Sequence, residues 1–89
     1  MSNINFTEKG WIDYLYWINQ DKKTLKRINQ LIKDIERNGN SGIGKPEALA
    51  ENFSGYWSRR IDGKNRCIYR ILADGSIEVN ALRTHYGDK

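Results

Sequence analysis

The chain has 89 residues, a hydrophobic fraction of 38%, an aromatic fraction of 11% and a formal net charge of +4. That length suits one domain, and the aromatic content excludes a disordered chain, which cannot bury enough apolar surface to fold. The charge makes a polyanion a reasonable partner, while no apolar run approaches the ~18 residues that span a bilayer, so no membrane partner is expected. The opening residues lack a basic stretch followed by an apolar one, so no signal peptide is expected either. A single cysteine, Cys67, cannot form an internal disulfide, which points to an intracellular, cytoplasmic protein.

In chain order, residues 3–7 (NINFT) suit a short opening strand, and the Thr7 hydroxyl can cap a helix. In WIDYLYWINQ, Trp11, Leu15 and Ile18 fall at helical spacing with Tyr14 beside them. Asp21 can cap a second helix, whose apolar stripe is Leu25, Ile28, Leu31, Ile32 and Ile35 and which Asn38-Gly39 closes. Lys22 to Arg37 carries six cations against two anions, a basic outer face for the helical hairpin. Residues 39–50 (GNSGIGKPEALA) hold three glycines and a proline and read as irregular. Tyr56–Ile61 and Arg66–Leu72 then read as strands joined around Asp62-Gly63, and Ile77–Arg83 follows the Asp74-Gly75 turn as a third. Two helices on one face of a mainly antiparallel sheet make an α+β domain spanning residues 1–89.

The segment from Trp57 to Arg70 (WSRRIDGKNRCIYR) carries five cations against one anion on a strand hairpin. Alternation sorts Cys67, Tyr69 and Ile71 to one side, read as the core, and Arg66, Ile68 and Arg70 to the other. Arg59 and Arg60 fall one to each face. Convergent guanidiniums suit phosphate, because the planar fork donates paired hydrogen bonds to it. Tyr56 and Trp57 interleave aromatics on which bases could stack, although Trp57 is as readily a core residue. The one histidine, His85, ends the last strand, and its ordinary pKa of ~6.5 lets it exchange protons near neutrality.

One histidine and one cysteine with scattered carboxylates give no recognisable metal spacing, and no nucleophile elbow or phosphate-binding glycine loop is present, so no cofactor is expected. What fits is acid–base chemistry on a phosphodiester, with the RNA 2′-hydroxyl as nucleophile. Arginines and His85 fill two roles, and a carboxylate should fill the third. Glu47, just after Pro46, is a candidate by position, while Glu51 and Asp62 are equally acceptable on chemistry alone.

The pieces WIDYLYW, INQLIKDIERN, GKPEAL, FSGYWSRRI, NRCIYRI and the terminal RTHY resemble, in order and spacing from Phe6 to Tyr86, the YoeB toxins of the RelE-like superfamily. The resemblance implies a fold similar to microbial ribonucleases and a ribosome-dependent endoribonuclease, an mRNA interferase cutting mRNA in the A site of the 30S subunit. It implies a YefM-like antitoxin as inhibitor, operator DNA as a ligand of the antitoxin complex, and a homodimer through the helical hairpin. By motif, Glu47 corresponds to the general base, Arg66 to the transition-state cation, His85 to the general acid, and Tyr86 to a substrate-positioning group. Arg59 and Arg60 of WSRR, with Lys45 and Trp57, are expected to contact RNA. Two departures stand out: the chain continues beyond the HY pair with Gly87, Asp88 and Lys89, and Ala50 stands where family sequences often carry lysine. Basic charge and aromatics would also suit a domain that binds nucleic acid or an acidic protein segment and cleaves nothing. The His–Glu–Arg set separates the enzyme from that alternative, since binding alone does not require it.

Overall fold

Thr7 and Asp21 start the two helices of the computed structural model, which describes residues 3–84. The Thr7 hydroxyl accepts from the Gly10 amide at 3.0 Å, opening α1 (Glu8–Gln20). Asp21 ends α1 and caps α2 (Lys22–Asn38) by accepting from the Lys23 and Thr24 amides. Each cap satisfies first-turn N–H groups that a helix leaves without internal partners. Gly39, at φ +66°, closes α2 by donating its N–H to the Ile35 carbonyl.

The strands are β1 (Ile4–Phe6), β2 (Glu47–Ala48), β3 (Trp57–Arg60), β4 (Arg66–Ile71) and β5 (Ile77–Thr84), with a 3₁₀ turn at Glu51–Phe53. They form one sheet in the order β1-β5-β4-β3-β2, in which β1 runs parallel to β5 and every other pair is antiparallel. The two-residue β2 lies inside the segment whose composition reads as irregular; its register comes from the facing β3, a long-range partner that local propensity does not encode.

The predicted stripe of α2 is the core. Ile28, Leu31, Ile32 and Ile35 are buried against Cys67, Tyr69, Ile77, Val79 and Leu82. Each fully buried branched side chain contributes about 1.5–3 kcal/mol. On α1 the spacing misleads, because Trp11, Leu15 and Ile18 are exposed while Gly10, Asp13 and Trp17 face inward. Gly10 is required there, since a Cβ would collide with the Val79 carbonyl oxygen where α1 crosses β5.

β5 is irregular in a way that matters downstream. Tyr69 pairs with Val79, Ile68 with Ala81 and Arg66 with Thr84, so β5 carries one extra residue in each of two successive steps. Bulges of this kind take backbone groups out of the ladder and redirect side chains. α1 supplies the missing partners for Leu82: its N–H donates to Asp13 Oδ2 at 2.8 Å, and its carbonyl accepts from Trp17 Nε1 at 3.0 Å. The Arg83 N–H also donates to Asp13 Oδ2, at 3.2 Å.

Candidate active site

Strand alternation divides the sheet into a face that packs on the helices and a face that does not. Trp57, Arg59, Cys67, Tyr69 and Val79 belong to the helix side, through the pairs Trp57–Tyr69, Arg59–Cys67 and Tyr69–Val79. The opposite face carries three rows across the strands. One runs Glu47–Ser58–Ile68–Ala81 and the next Arg60–Arg66, while the third pairs Arg70 with Glu78. Directly opposed side chains have Cβ atoms ~4.5–5.5 Å apart, and diagonal neighbours remain within reach of long side chains. Glu47 therefore sits one row from Arg60 and Arg66 on the same face.

The charges in these rows differ in how they are compensated. Arg70 donates Nε to Glu78 at 2.8 Å and lies 5.0 Å over the Tyr56 ring, which accounts for its charge. Arg60 and Arg66 oppose each other, and among the described residues neither has a carboxylate within ion-pair distance. Arg66 donates Nη1 to the carbonyls of Asp62 and Asn65 at 2.9 and 3.2 Å. Like charges facing each other across strands cost stability, and an anion between them removes that cost. Ser58, Ile68 and Ala81 in the row between the charges are buried, so Glu47 is the exposed member of that row. Glu47 makes no side-chain hydrogen bond to the described residues.

The carboxylates left open by the sequence separate here. Asp62 accepts from the Lys64 and Asn65 amides at 2.8 and 2.6 Å. Burial raises its pKa, but those amides outweigh it and hold the carboxyl below the ordinary range. A carboxylate so occupied is a poor base. Glu51 begins the 3₁₀ turn in a left-handed conformation, φ +56°, outside the three rows.

Two of the expected RNA contacts are corrected by the geometry. Arg59 is fully buried on the helix side, paired with Asp34 at 2.5 Å and donating to Tyr69 Oη and to the carbonyls of Gly39, Ser41 and Ile43. It is an internal ion. Burial opposes its charge, but the Tyr69 and Asp34 partners outweigh that and raise its pKa. Trp57 packs its ring toward the core beside Tyr69, which leaves it unavailable as a stacking platform on the open face. Lys45 and Arg60 are exposed, as a phosphate contact requires. His85 and Tyr86 lie outside the described residues; His85 follows Thr84, which pairs with Arg66. Cys67 is buried with its thiol pushed up to about 12 by that burial, so it is chemically silent.

Sequence reasoning did not single out Asp13 or Asp34. Asp13 was legible in principle: Gly10, Asp13 and Trp17 fall at i, i+3 and i+7, and a carboxylate on an inward face needs a buried partner. Asp34 gives no such signal, because its partner Arg59 is 25 residues away.

The profile of the YoeB-like toxin of the bacterial type II toxin–antitoxin system matches residues 6–86. The toxin YoeB of Streptomyces coelicolor is 51% identical over 93% of this chain and 98% of that protein. Among solved structures, a heterotetrameric YoeB–YefM toxin–antitoxin complex from Staphylococcus aureus is 44% identical, covers 97% of this chain and 99% of its own, and superposes with a TM-score of 0.88. The YoeB dimer from the same organism is also 44% identical with a TM-score of 0.88, covering 96% of this chain and 98% of its own.

Proposed function

The chain belongs to the YoeB-like toxins of bacterial type II toxin–antitoxin systems, and from that premise we propose that it is a ribosome-dependent endoribonuclease that cuts mRNA in the A site. What supports this reading is the register that brings Glu47 within one row of Arg60 and Arg66, on the sheet face away from the helices, where among the described residues neither arginine has a carboxylate within ion-pair distance.

In the proposed reaction the Glu47 carboxylate takes the proton of an RNA 2′-hydroxyl, whose oxygen attacks the adjacent phosphorus. The bond to the 5′-oxygen breaks, and His85 donates a proton to that leaving oxygen. The products are a 2′,3′-cyclic phosphate and a 5′-hydroxyl, with Glu47 protonated and His85 deprotonated. Arg66, assisted by Arg60, neutralises the charge that builds on the phosphorane oxygens. Tyr86 positions the substrate, and Lys45 adds a phosphate contact at the entrance to β2. Base, acid and cation all come from the chain, and no metal enters the proposed step.

A YefM-like antitoxin inhibits it by laying an acidic segment, disordered until bound, over the same arginines. S. aureus YoeB forms a heterotetrameric complex with YefM. In the proposed complex of this chain with its antitoxin, the antitoxin would supply most contacts to operator DNA. The S. aureus homologue also forms a dimer, and in the proposed dimer of this chain the helical hairpin would pair through the exposed Trp11, Ile12, Leu15 and Ile18 of α1.

The test is primer extension on mRNA held in programmed ribosomes, with naked mRNA alongside. A ribosome-dependent cut within the A-site codon is expected. His85→Gln or Glu47→Gln should lower its rate by about 10²–10⁴, and Arg66→Ala by about 10²–10³. Ribosome binding without cleavage by the unaltered protein would overturn the enzymatic reading in favour of a binding module.

A further inference from the structure

Arg59 has five N–H donors, the full set a guanidinium carries, and all five are used. Nε donates to Tyr69 Oη at 3.2 Å, Nη1 to Asp34 Oδ2 at 2.5 Å and to the Ile43 carbonyl at 3.0 Å, and Nη2 to the carbonyls of Gly39 and Ser41 at 2.6 and 2.8 Å. Three of those acceptors are alternate carbonyls of the connection between α2 and β2. The connection folds round the guanidinium because Gly39, Gly42 and Gly44 take positive φ values of +66°, +121° and +81°, which L side chains rarely adopt. Asp34 completes the cage by also accepting the Ile43 N–H at 3.0 Å. The segment then leaves the cage in one direction: the Gly44 carbonyl accepts the Arg60 N–H at 2.7 Å, and Glu47 pairs with Ser58. Apart from this cage, residues 39–43 are tied back to α2 by the Gly39 N–H to the Ile35 carbonyl at 2.9 Å and by the Ser41 N–H and hydroxyl to the Asn38 carbonyl at 3.4 and 3.1 Å.

We infer that Arg59 is a positioning residue for Glu47: its buried fork anchors residues 39–43, and that anchor sets where the following β2 presents the glutamate beside Arg60 and Arg66. The inference rests on Glu47 being the base of the proposed reaction. WSRR thus gives one arginine to the substrate face and one to the foundation beneath it. An ammonium cannot replace the fork, since three donors on one nitrogen cannot reach acceptors spread around a planar group.

The experiment is a double-mutant cycle on single-turnover cleavage of ribosome-held mRNA, with amide hydrogen exchange on the same proteins. Arg59→Lys should slow cleavage by about 10²-fold, the scale of a misplaced catalytic group, without changing the ribosome concentration needed for half-saturation. In the Glu47→Gln background the same substitution should add little, so the two losses do not multiply. Exchange at residues 43–48 should quicken while the amides of α2 keep their protection. Asp34→Asn, made on the helix side where no substrate reaches, should reproduce the pattern in weaker form, and it decides the matter if Arg59→Lys does not fold. Losses that multiply fully with unchanged exchange at 43–48 would overturn the positioning role and leave the reaction standing. Undiminished cleavage by Glu47→Gln alone would instead remove the base, and the inference with it.

Discussion

Asp13→Asn should lower the stability of this domain by about 2 kcal/mol, although it preserves the shape of a side chain that never meets substrate. Asp13 Oδ2 accepts two backbone N–H groups, from Leu82 and Arg83, at the second bulge of β5. Hydrogen bonds to a charged acceptor are worth about 1.5–3 kcal/mol each and neutral ones about 0.5–1.5. Replacing carboxylate by amide therefore costs roughly 1 kcal/mol per bond if both bonds survive. The ion pair with Lys9, at 3.0 Å, adds little because the lysine side chain is 55% exposed. In a domain this size 2 kcal/mol corresponds to a fall in Tm of about 8–16 °C. Thermal and urea unfolding of Asp13→Asn and Lys9→Ala, at one protein concentration so that self-association does not enter, separate the two contributions. Lys9→Ala should cost no more than about 1 kcal/mol. If the two substitutions cost the same, the carboxylate serves the lysine and not the strand, and the account of the bulge is wrong.

Gly10→Ala should destabilise by roughly 1–3 kcal/mol through overpacking against the Val79 carbonyl, although alanine in a helix interior is otherwise favoured by about 1 kcal/mol; a raised urea midpoint would refute the close crossing of α1 over β5. The hydrogen bond from Arg59, outweighing the opposing effect of burial, holds Asp34 below its ordinary 3.8, so its stabilisation is complete above that value and is lost as the pH falls through the lower folded value. The stability gap between the unaltered protein and Asp34→Asn should accordingly be open at neutral pH and close in acid, and a gap independent of pH would refute the pairing. Cys67, buried with its thiol at about 12, should resist thiol reagents until the protein unfolds; labelling at the rate of a free thiol under native conditions would place it on the surface.

The stripe on α2 and both helix caps were legible because their causes are local: a 3.6-residue period and a side-chain oxygen three residues from an amide. The inward face of α1 was not. Its apolar residues lie on the exposed side, and the face that packs is a glycine, an aspartate and a tryptophan chosen by the bulge of β5, some 65 to 70 residues away. Alternation along β4 correctly set Arg66 and Arg70 opposite Cys67 and Tyr69. It also put Arg59 and Arg60 on different faces, a division that already implied that one of them points at the helices. The motif assigned both to RNA because a motif records residue types and not which side of a sheet they occupy.

That division explains why one hairpin can hold so many cations. Arg59 is neutralised within the fold by Asp34 and carbonyl oxygens, and Arg70 on the surface by Glu78. Both charges are balanced before any ligand arrives. Among the described residues Arg60 and Arg66 have no carboxylate within ion-pair distance, and they face each other across β3 and β4 where mutual repulsion works against the sheet. A fold stabilised elsewhere by a compensated arginine can carry an uncompensated pair at modest cost, and the cost is recovered when an anion binds between them. An RNA phosphate and an acidic antitoxin segment would recover it equally, so the proposed substrate and the proposed inhibitor compete for one electrostatic vacancy. Substituting Arg60 should therefore weaken both together, whereas substituting Arg59 should spare the charge of that surface and disturb the position of Glu47.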